Sequence, residues 1–181
     1  HKNRWLFNIQ MMTSQATAQA YHHWEKTPEG WRFIEEVNST VARLKTQDTV
    51  LLSPEGELRR YHRTQGGVTI DLQVTPDRTL TGTLTAMGQS LPVKQPIPPN
   101  LTVYPLGSTL IYYLGSLPLR EGYKTELPIF SLQKQDFVPA QIEVLQAETI
   151  TVASKNIPCW KVQIKSDNIT QEVWIGQEDR L

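Results

Sequence analysis

The strongest constraint on this chain is a period of two. Trp160, Val162 and Ile164 alternate with Lys161, Gln163 and Lys165, and Val68, Ile70, Leu72 and Val74 alternate in the same way with Thr69, Asp71 and Gln73. Successive side chains of an extended backbone point to opposite faces, so each such run is a strand with one face on a core and the other in water. The runs recur along the sequence, separated by turn residues, and nothing in them is catalytic.

The alternation begins with Trp5, Phe7, Ile9 and Met11, and Thr13 to Lys26 reads as a second strand in which Ala16, Ala18 and Ala20 keep the period. Thr27-Pro28-Glu29-Gly30 is a tight turn into Trp31-Arg32-Phe33, whose pattern continues through Val37 and Val41. A further strand ends at Thr49-Val50-Leu51-Leu52, before the Pro and Gly of a type I turn in Ser53-Pro54-Glu55-Gly56. Gln65-Gly66-Gly67 supplies the positive φ angles of a hairpin. Thr75-Pro76-Asp77-Arg78 then turns the chain into a strand carrying Leu80, Gly82, Leu84 and Ala86. Lys94 to Asn100 is too rich in proline for a ladder and reads as an extended connection between two halves of the chain.

After that connection Leu106, Leu110, Tyr113, Leu114 and Leu117 fall on one side of a helix, with Ser108 as its cap and Pro118 as its stop. Strands at Tyr123–Phe130, Ala140–Leu145, Thr149–Val152, Cys159–Lys165 and Thr170–Ile175 complete the pattern. Connections this tight leave hardly any room for crossover helices. The expected fold class is therefore mainly β, a strongly curled antiparallel sheet forming an open half-barrel with one short helix against its concave face.

Composition narrows the function classes. At 181 residues the chain has the size of one domain, and the expectation is a single half-barrel domain over 1–181, cut at both ends from a longer precursor. Lys plus Arg balances Asp plus Glu at 18 each, so no global field draws in a polyanion, and nucleic acid is not an expected partner. Cys159 is the lone cysteine and can form neither an internal disulfide nor a metal-ligand pair. The longest apolar run falls far short of the roughly 20 residues a spanning helix needs. The opening His1-Lys2-Asn3-Arg4, with no initiator Met, is expected to follow a removed leader or anchor.

The order Tyr112-Tyr113-Leu114-Gly115-Ser116-Leu117-Pro118-Leu119-Arg120-Glu121-Gly122, then Leu127-Pro128-Ile129-Phe130, Val144-Leu145, Glu148-Thr149-Ile150, Trp160-Lys161-Val162 and Val173-Trp174-Ile175, resembles an uncharacterised bacterial envelope family. That family is similar in shape to the half-barrels of lipoprotein carrier and receptor proteins, and Asp48 to Tyr61 resembles its middle segment. The resemblance implies a periplasmic or outer-membrane-associated open barrel whose apolar hollow accepts acyl chains. None of the shared motifs is catalytic.

Catalytic signatures fail on particular residues. His23-Trp24-Glu25 and Pro158-Cys159 echo the two halves of a zinc deaminase signature, but Val162 stands where the second Cys belongs. Gly88-Gln89-Ser90-Leu91-Pro92 lacks the last glycine of a nucleophile elbow and reads as a turn. Cys159, at the head of a strand with no activating base in its sequence neighbourhood, reads as a structural thiol. Glu35 and Glu36 are adjacent in a strand and face opposite ways, so a carboxylate partner for either has to come from elsewhere in the fold. Arg59 and Arg63 share one strand face and Arg60 and His62 the other, the pattern of a solvated edge. Trp5, Trp24, Trp31, Trp160 and Trp174, with Tyr112 and Tyr113, read as core before ligand cage, with the lining of a hollow as the alternative.

The reading is a non-enzymatic envelope protein that needs no cofactor or metal and binds a lipid or lipoprotein acyl chain between sheet and helix. Leu106, Leu110, Tyr113, Leu114, Trp160 and Val162 are the candidate cavity residues. The alternative is a module with a filled core that docks an envelope protein partner on a strand edge. An enzyme would require a pocket bringing His22 or His23 to a carboxylate and an exposed Ser.

Overall fold

A computed structural model describes residues 3–10, 17–39, 44–104, 108–152, 154–167 and 169–178. The described chain falls into two compact units, 1–101 and 102–181. The first is a β meander of β1 (Asn3–Gln10), β2 (Thr17–Thr27), β3 (Gly30–Ser39), β4 (Leu44–Leu52), β5 (Leu58–Gln65), β6 (Val68–Val74), β7 (Thr79–Ala86) and β8 (Gln89–Pro96). Each strand pairs antiparallel with the next, giving an eight-stranded open sheet with β1 and β8 at its edges. The second unit holds α1 (Ser108–Gly115), β9 (Lys124–Ser131), β10 (Asp136–Val152), β11 (Lys155–Ser166) and β12 (Ile169–Gly176), the strands forming a four-stranded antiparallel sheet in sequence order.

The fold is therefore mainly β and antiparallel, with one short helix among the described residues. The sequence reading drew one sheet where the structure has two. The interruption between β8 and β9 contains α1 and prolines on both sides of it, and proline cannot donate to a ladder.

The turns are those the sequence spelled out. Thr27 pairs with Gly30 across the β2–β3 turn. Gly66 and Gly67 take φ of 53° and 84° between β5 and β6. The Ser53 hydroxyl accepts from the Glu55 and Glu57 amides, both at 3.2 Å, fixing the β4–β5 turn.

Three expectations need correction. Lys94, Gln95 and Pro96 belong to β8, because that strand is an edge and an edge tolerates proline. The strands expected at Ala140–Leu145 and Thr149–Val152 are one strand, β10, with a bulge. Val144 faces Val162 and Gln146 faces Lys161, leaving Leu145 as an extra residue that interrupts the period of two. Trp31 and Trp174 are not core; each is exposed, with Lys26 and Lys161 lying 5.7 and 5.5 Å from the respective ring centroids. Met11, Thr13, Ala16, Val41 and Asn168 lie outside the described residues.

In the first unit the core is a row directly across the sheet. Phe33, Val50, Tyr61, Leu72, Gly82 and Val93 are successive partners on β3 to β8, all buried but the glycine. Gly82 is required there: with φ at 153°, a Cβ would come within 1.9 Å of the Asp71 carbonyl oxygen.

In the second unit Leu110 and Leu114, one helical turn apart on α1, join side chains of the four-stranded sheet in one buried cluster. The helix ends as Ser116 and Leu117 donate from their amides to the Tyr113 and Leu114 carbonyls at 2.9 and 3.0 Å, just before Pro118.

Candidate functional site

The apolar set chosen from the sequence gathers in the second unit, save for Leu106, which lies outside the described residues. Leu110, Leu114 and Val162 are buried in one cluster with Ala140, Ile142, Val144 and Ile175. Tyr113 and Trp160 are partly buried at its margin, beside Tyr104 and Tyr123. The Tyr104 and Tyr113 rings lie 4.8 Å apart and tilted. Burial, with Tyr104 beside it, pushes the Tyr113 hydroxyl up to about 12, so that hydroxyl keeps its proton at neutral pH.

The first unit holds a feature the sequence reading missed. His22 on β2 pairs with Glu35 on β3, Glu35 with Asp48 on β4, and Asp48 with Arg63 on β5. Partners directly opposite share a face, so four ionisable side chains form one row across four strands. It lies two residues along each strand from the Phe33, Val50 and Tyr61 row and shares its buried face. Glu35 is 5 % exposed and Asp48 2 %.

His22 Nε2 lies 3.4 Å from Glu35 Oε2, and Arg63 Nε 3.6 Å from Asp48 Oδ1. The His22 ring meets the edge of Phe33 at 5.6 Å, while Trp24 covers Phe33 at 4.7 Å. Burial drives the His22 imidazole down to about 4, so it is neutral at physiological pH. Burial also raises the Asp48 carboxyl, opposed by the Arg63 charge and by a hydrogen bond from Tyr61. Burial and the neighbouring Asp48 push the Tyr61 hydroxyl up to about 12.

The signal for this row was present but spread over distant segments. Glu35 stands between Phe33 and Val37, Asp48 between Thr46 and Val50, and Arg63 two residues after Tyr61, each on the apolar phase of its strand. The expectation that a partner for Glu35 would come from elsewhere in the fold is met by His22 and Asp48.

The remaining polar candidates sort onto surfaces. Arg60 makes a two-pronged contact with Asp71 at 3.1 and 2.9 Å, with His62 3.7 Å from the same carboxylate. The basic cluster is thereby divided, since Arg63 turns to Asp48 and Arg59 is exposed. Glu25 meets His23 on its own strand and forms a cross-strand ion pair with Arg32 on β3, so the His-x-Glu motif is a contact along β2. Cys159 is buried on β11, its thiol directed at the Ile157 carbonyl at 3.5 Å. Gly88 lies in the β7–β8 turn and Ser90 on β8, opposite Thr85 with the hydroxyls 2.8 Å apart. Among the described residues no three His, Cys, Asp or Glu side chains gather as a metal site, and no helix is long and apolar enough to cross a membrane.

A family model described as "Protein of unknown function (DUF3108)" matches residues 23–181. Among solved structures the chain is similar to the crystal structure of a beta-barrel-like protein of domain of unknown function DUF1849 from Brucella abortus. The identity is 13 %, the TM-score 0.54, and the match covers 97 % of this chain and 86 % of that one. A likeness at that identity carries the fold alone. The comparison with curated proteins returned no match.

Proposed function

We propose that this chain, which belongs to the DUF3108 family of proteins of unknown function, is a non-catalytic protein of the bacterial cell envelope that binds a lipid tail or lipoprotein acyl chain. What supports the reading is the apolar cluster where α1 meets the four-stranded sheet, margined by Tyr104, Tyr113, Tyr123 and Trp160. An acyl chain entering between α1 and β12 would exchange water for these side chains. Each buried methylene is worth about 0.8 kcal/mol, from which the cost of displacing α1 is subtracted. Placement in the periplasm or at the outer membrane belongs to the same proposal and rests on the resemblance in sequence. The absence of catalysis is part of it too: of the three described histidines that lie near a carboxylate, His22 is half-buried against Phe33 in the sheet, while His23 and His62 sit in surface contacts with Glu25 and Asp71.

The competing reading, a module with a filled core and a protein partner, is favoured by the complete burial of Leu114, Val144 and Val162. Native mass spectrometry of freshly purified protein and titration with a fluorescent fatty acid separate the two. Copurified lipid and saturable uptake support the lipid reading. Protein free of lipid that takes up no probe overturns it and leaves the filled module.

A further inference from the structure

We propose that one end of the eight-stranded sheet docks on a lipid bilayer surface, with Met87 as the side chain that inserts. In a meander, alternate turns lie at alternate ends of the sheet. One end carries Thr27-Pro28-Glu29-Gly30, Ser53-Pro54-Glu55-Gly56-Glu57 and Thr75-Pro76-Asp77-Arg78, so every turn there bears at least one carboxylate. The described turns at the other end are Gly66-Gly67 and Met87-Gly88, with no charge in either. Lys45, at the first described side-chain position of β4 on that end, is basic and exposed. Arg78, Lys26 and Arg59 offset the carboxylates of the first end, whereas the described turns of the second present no carboxylate to an anionic headgroup layer and have Lys45 beside them.

Met87 breaks two local preferences at once. It is 100 % exposed, and it sits at φ 52° followed by Gly88 at φ 76° in a two-residue hairpin closed by Ala86 and Gln89. Positive φ at both central residues is the type I′ turn, which favours Asn-Gly. A fully exposed side chain contributes little packing to the fold, and an apolar one at a turn that favours Asn is placed where it can meet an apolar phase outside the molecule.

Behind Met87 an open depression of about 280 Å³ is lined by Leu84, Ala86, Gln89 and Leu91. Leu84 and Leu91 are opposite partners, as are Ala86 and Gln89, and Leu91 is 52 % exposed. Three or four apolar side chains fall well short of the roughly 800 Å² per partner of a stable protein interface. Insertion into the headgroup and acyl boundary needs only such a tip. These residues belong to the first unit, so the proposal does not depend on acyl binding beside α1.

The test is flotation of the full chain with vesicles of phosphatidylethanolamine and phosphatidylglycerol. Wild type is expected to float. Met87→Asn is expected to lower the partition coefficient at least about fivefold, and Met87→Asn with Leu91→Asn to abolish flotation. Because Asn suits the turn, Met87→Asn is also expected to raise the melting midpoint by about 1–3 °C, so weaker binding cannot be ascribed to misfolding. An environment-sensitive fluorophore on Met87→Cys is expected to shift to the blue with vesicles, and on Glu29→Cys to stay unchanged. Fatty-acid uptake by Met87→Asn should equal that of wild type, which keeps this outcome separate from the fate of the acyl-binding reading. Wild type remaining unbound at all lipid concentrations, or Met87→Asn floating equally well, overturns the proposal.

Discussion

Glu35 and Asp48 face each other across β3 and β4 at 5 % and 2 % exposure, two buried carboxyls side by side whose other neighbours in the row are His22 and Arg63. Arg63 is the partner that counts for Asp48. Replacing it by Met removes the cation beside a buried carboxyl that keeps its Tyr61 hydrogen bond, and should cost about 3 kcal/mol, with much of that recovered when Asp48→Asn is added. Urea unfolding of the single and double variants measures the coupling, and additive losses would refute it. His22 supplies a pH dependence of definite sign. Its imidazole titrates near 6.5 in the unfolded chain and at about 4 in the fold. From 6.5 down to about 4 the unfolded chain therefore binds the extra proton. Stability present at neutral pH is then lost on acidification at up to about 1.4 kcal/mol per pH unit. Asp48 acts in the opposite sense. Its raised carboxyl favours the fold below the unfolded carboxylate range and loses that contribution as pH rises through its folded value. The net slope is thus shallower than His22 alone would give. Unfolding free energies of wild type and His22→Gln between neutral pH and pH about 4.5 should diverge; parallel curves would remove His22 from the account.

At the scale of elements, Gly82 is where β7 leaves no room for a side chain against the backbone of β6. A Cβ at 1.9 Å from the Asp71 carbonyl has no flexible side chain to yield to it, so Gly82→Ala should cost about 3 kcal/mol or more, or prevent folding. Gly88→Ala, with positive φ but open space around it, should cost only about 1 kcal/mol. Soluble yield and urea midpoints of the two variants test the contrast. Leu114→Ala, emptying the fully buried apex of α1, should cost about 2–5 kcal/mol. What the sequence made legible divides along the same physical lines. Hairpins closed by Gly and Pro turns were readable because their signal is local: Gly66-Gly67 and Thr27 to Gly30 each fix their turn within a few residues. β10 was read as two strands because Leu145 adds one residue to a period of two, and only the partner strand reveals that pairing continues. Leu110, Leu114 and Val162 could be brought together from helical and strand periodicity. The row from His22 to Arg63 could not, since register across four strands sets it and no single segment records that. Trp31 and Trp174 misled because residue type alone does not record exposure, and a lysine over each ring offsets part of the cost of leaving it at the surface.

For the molecule as a whole, the balance of 18 basic and 18 acidic residues means that recognition has to come from local surfaces and not from a net field. Its stability should be equally local. Every ladder joins strands consecutive in sequence, so each unit can be built hairpin by hairpin with little loop-closure entropy. Protection within each sheet then follows position. β4, β5 and β6 are paired on both sides and carry Val50, Tyr61 and Leu72, while β10 and β11 hold Ile142, Val144 and Val162. The outer strands β1, β8, β9 and β12 have one neighbour each within their sheet. Native-state hydrogen exchange should therefore show the slowest amides in β4 to β6 and in β10 to β11, with the outer strands opening first. Leu114→Ala should lower protection in β10 to β12 while leaving β4 to β6 unchanged, because the buried cluster it belongs to is built from residues of the second unit. If that substitution speeds exchange equally in β5 and in β11, the two units open as one cooperative body, and the independent footing of the membrane-docking turn and the α1 cluster is lost together.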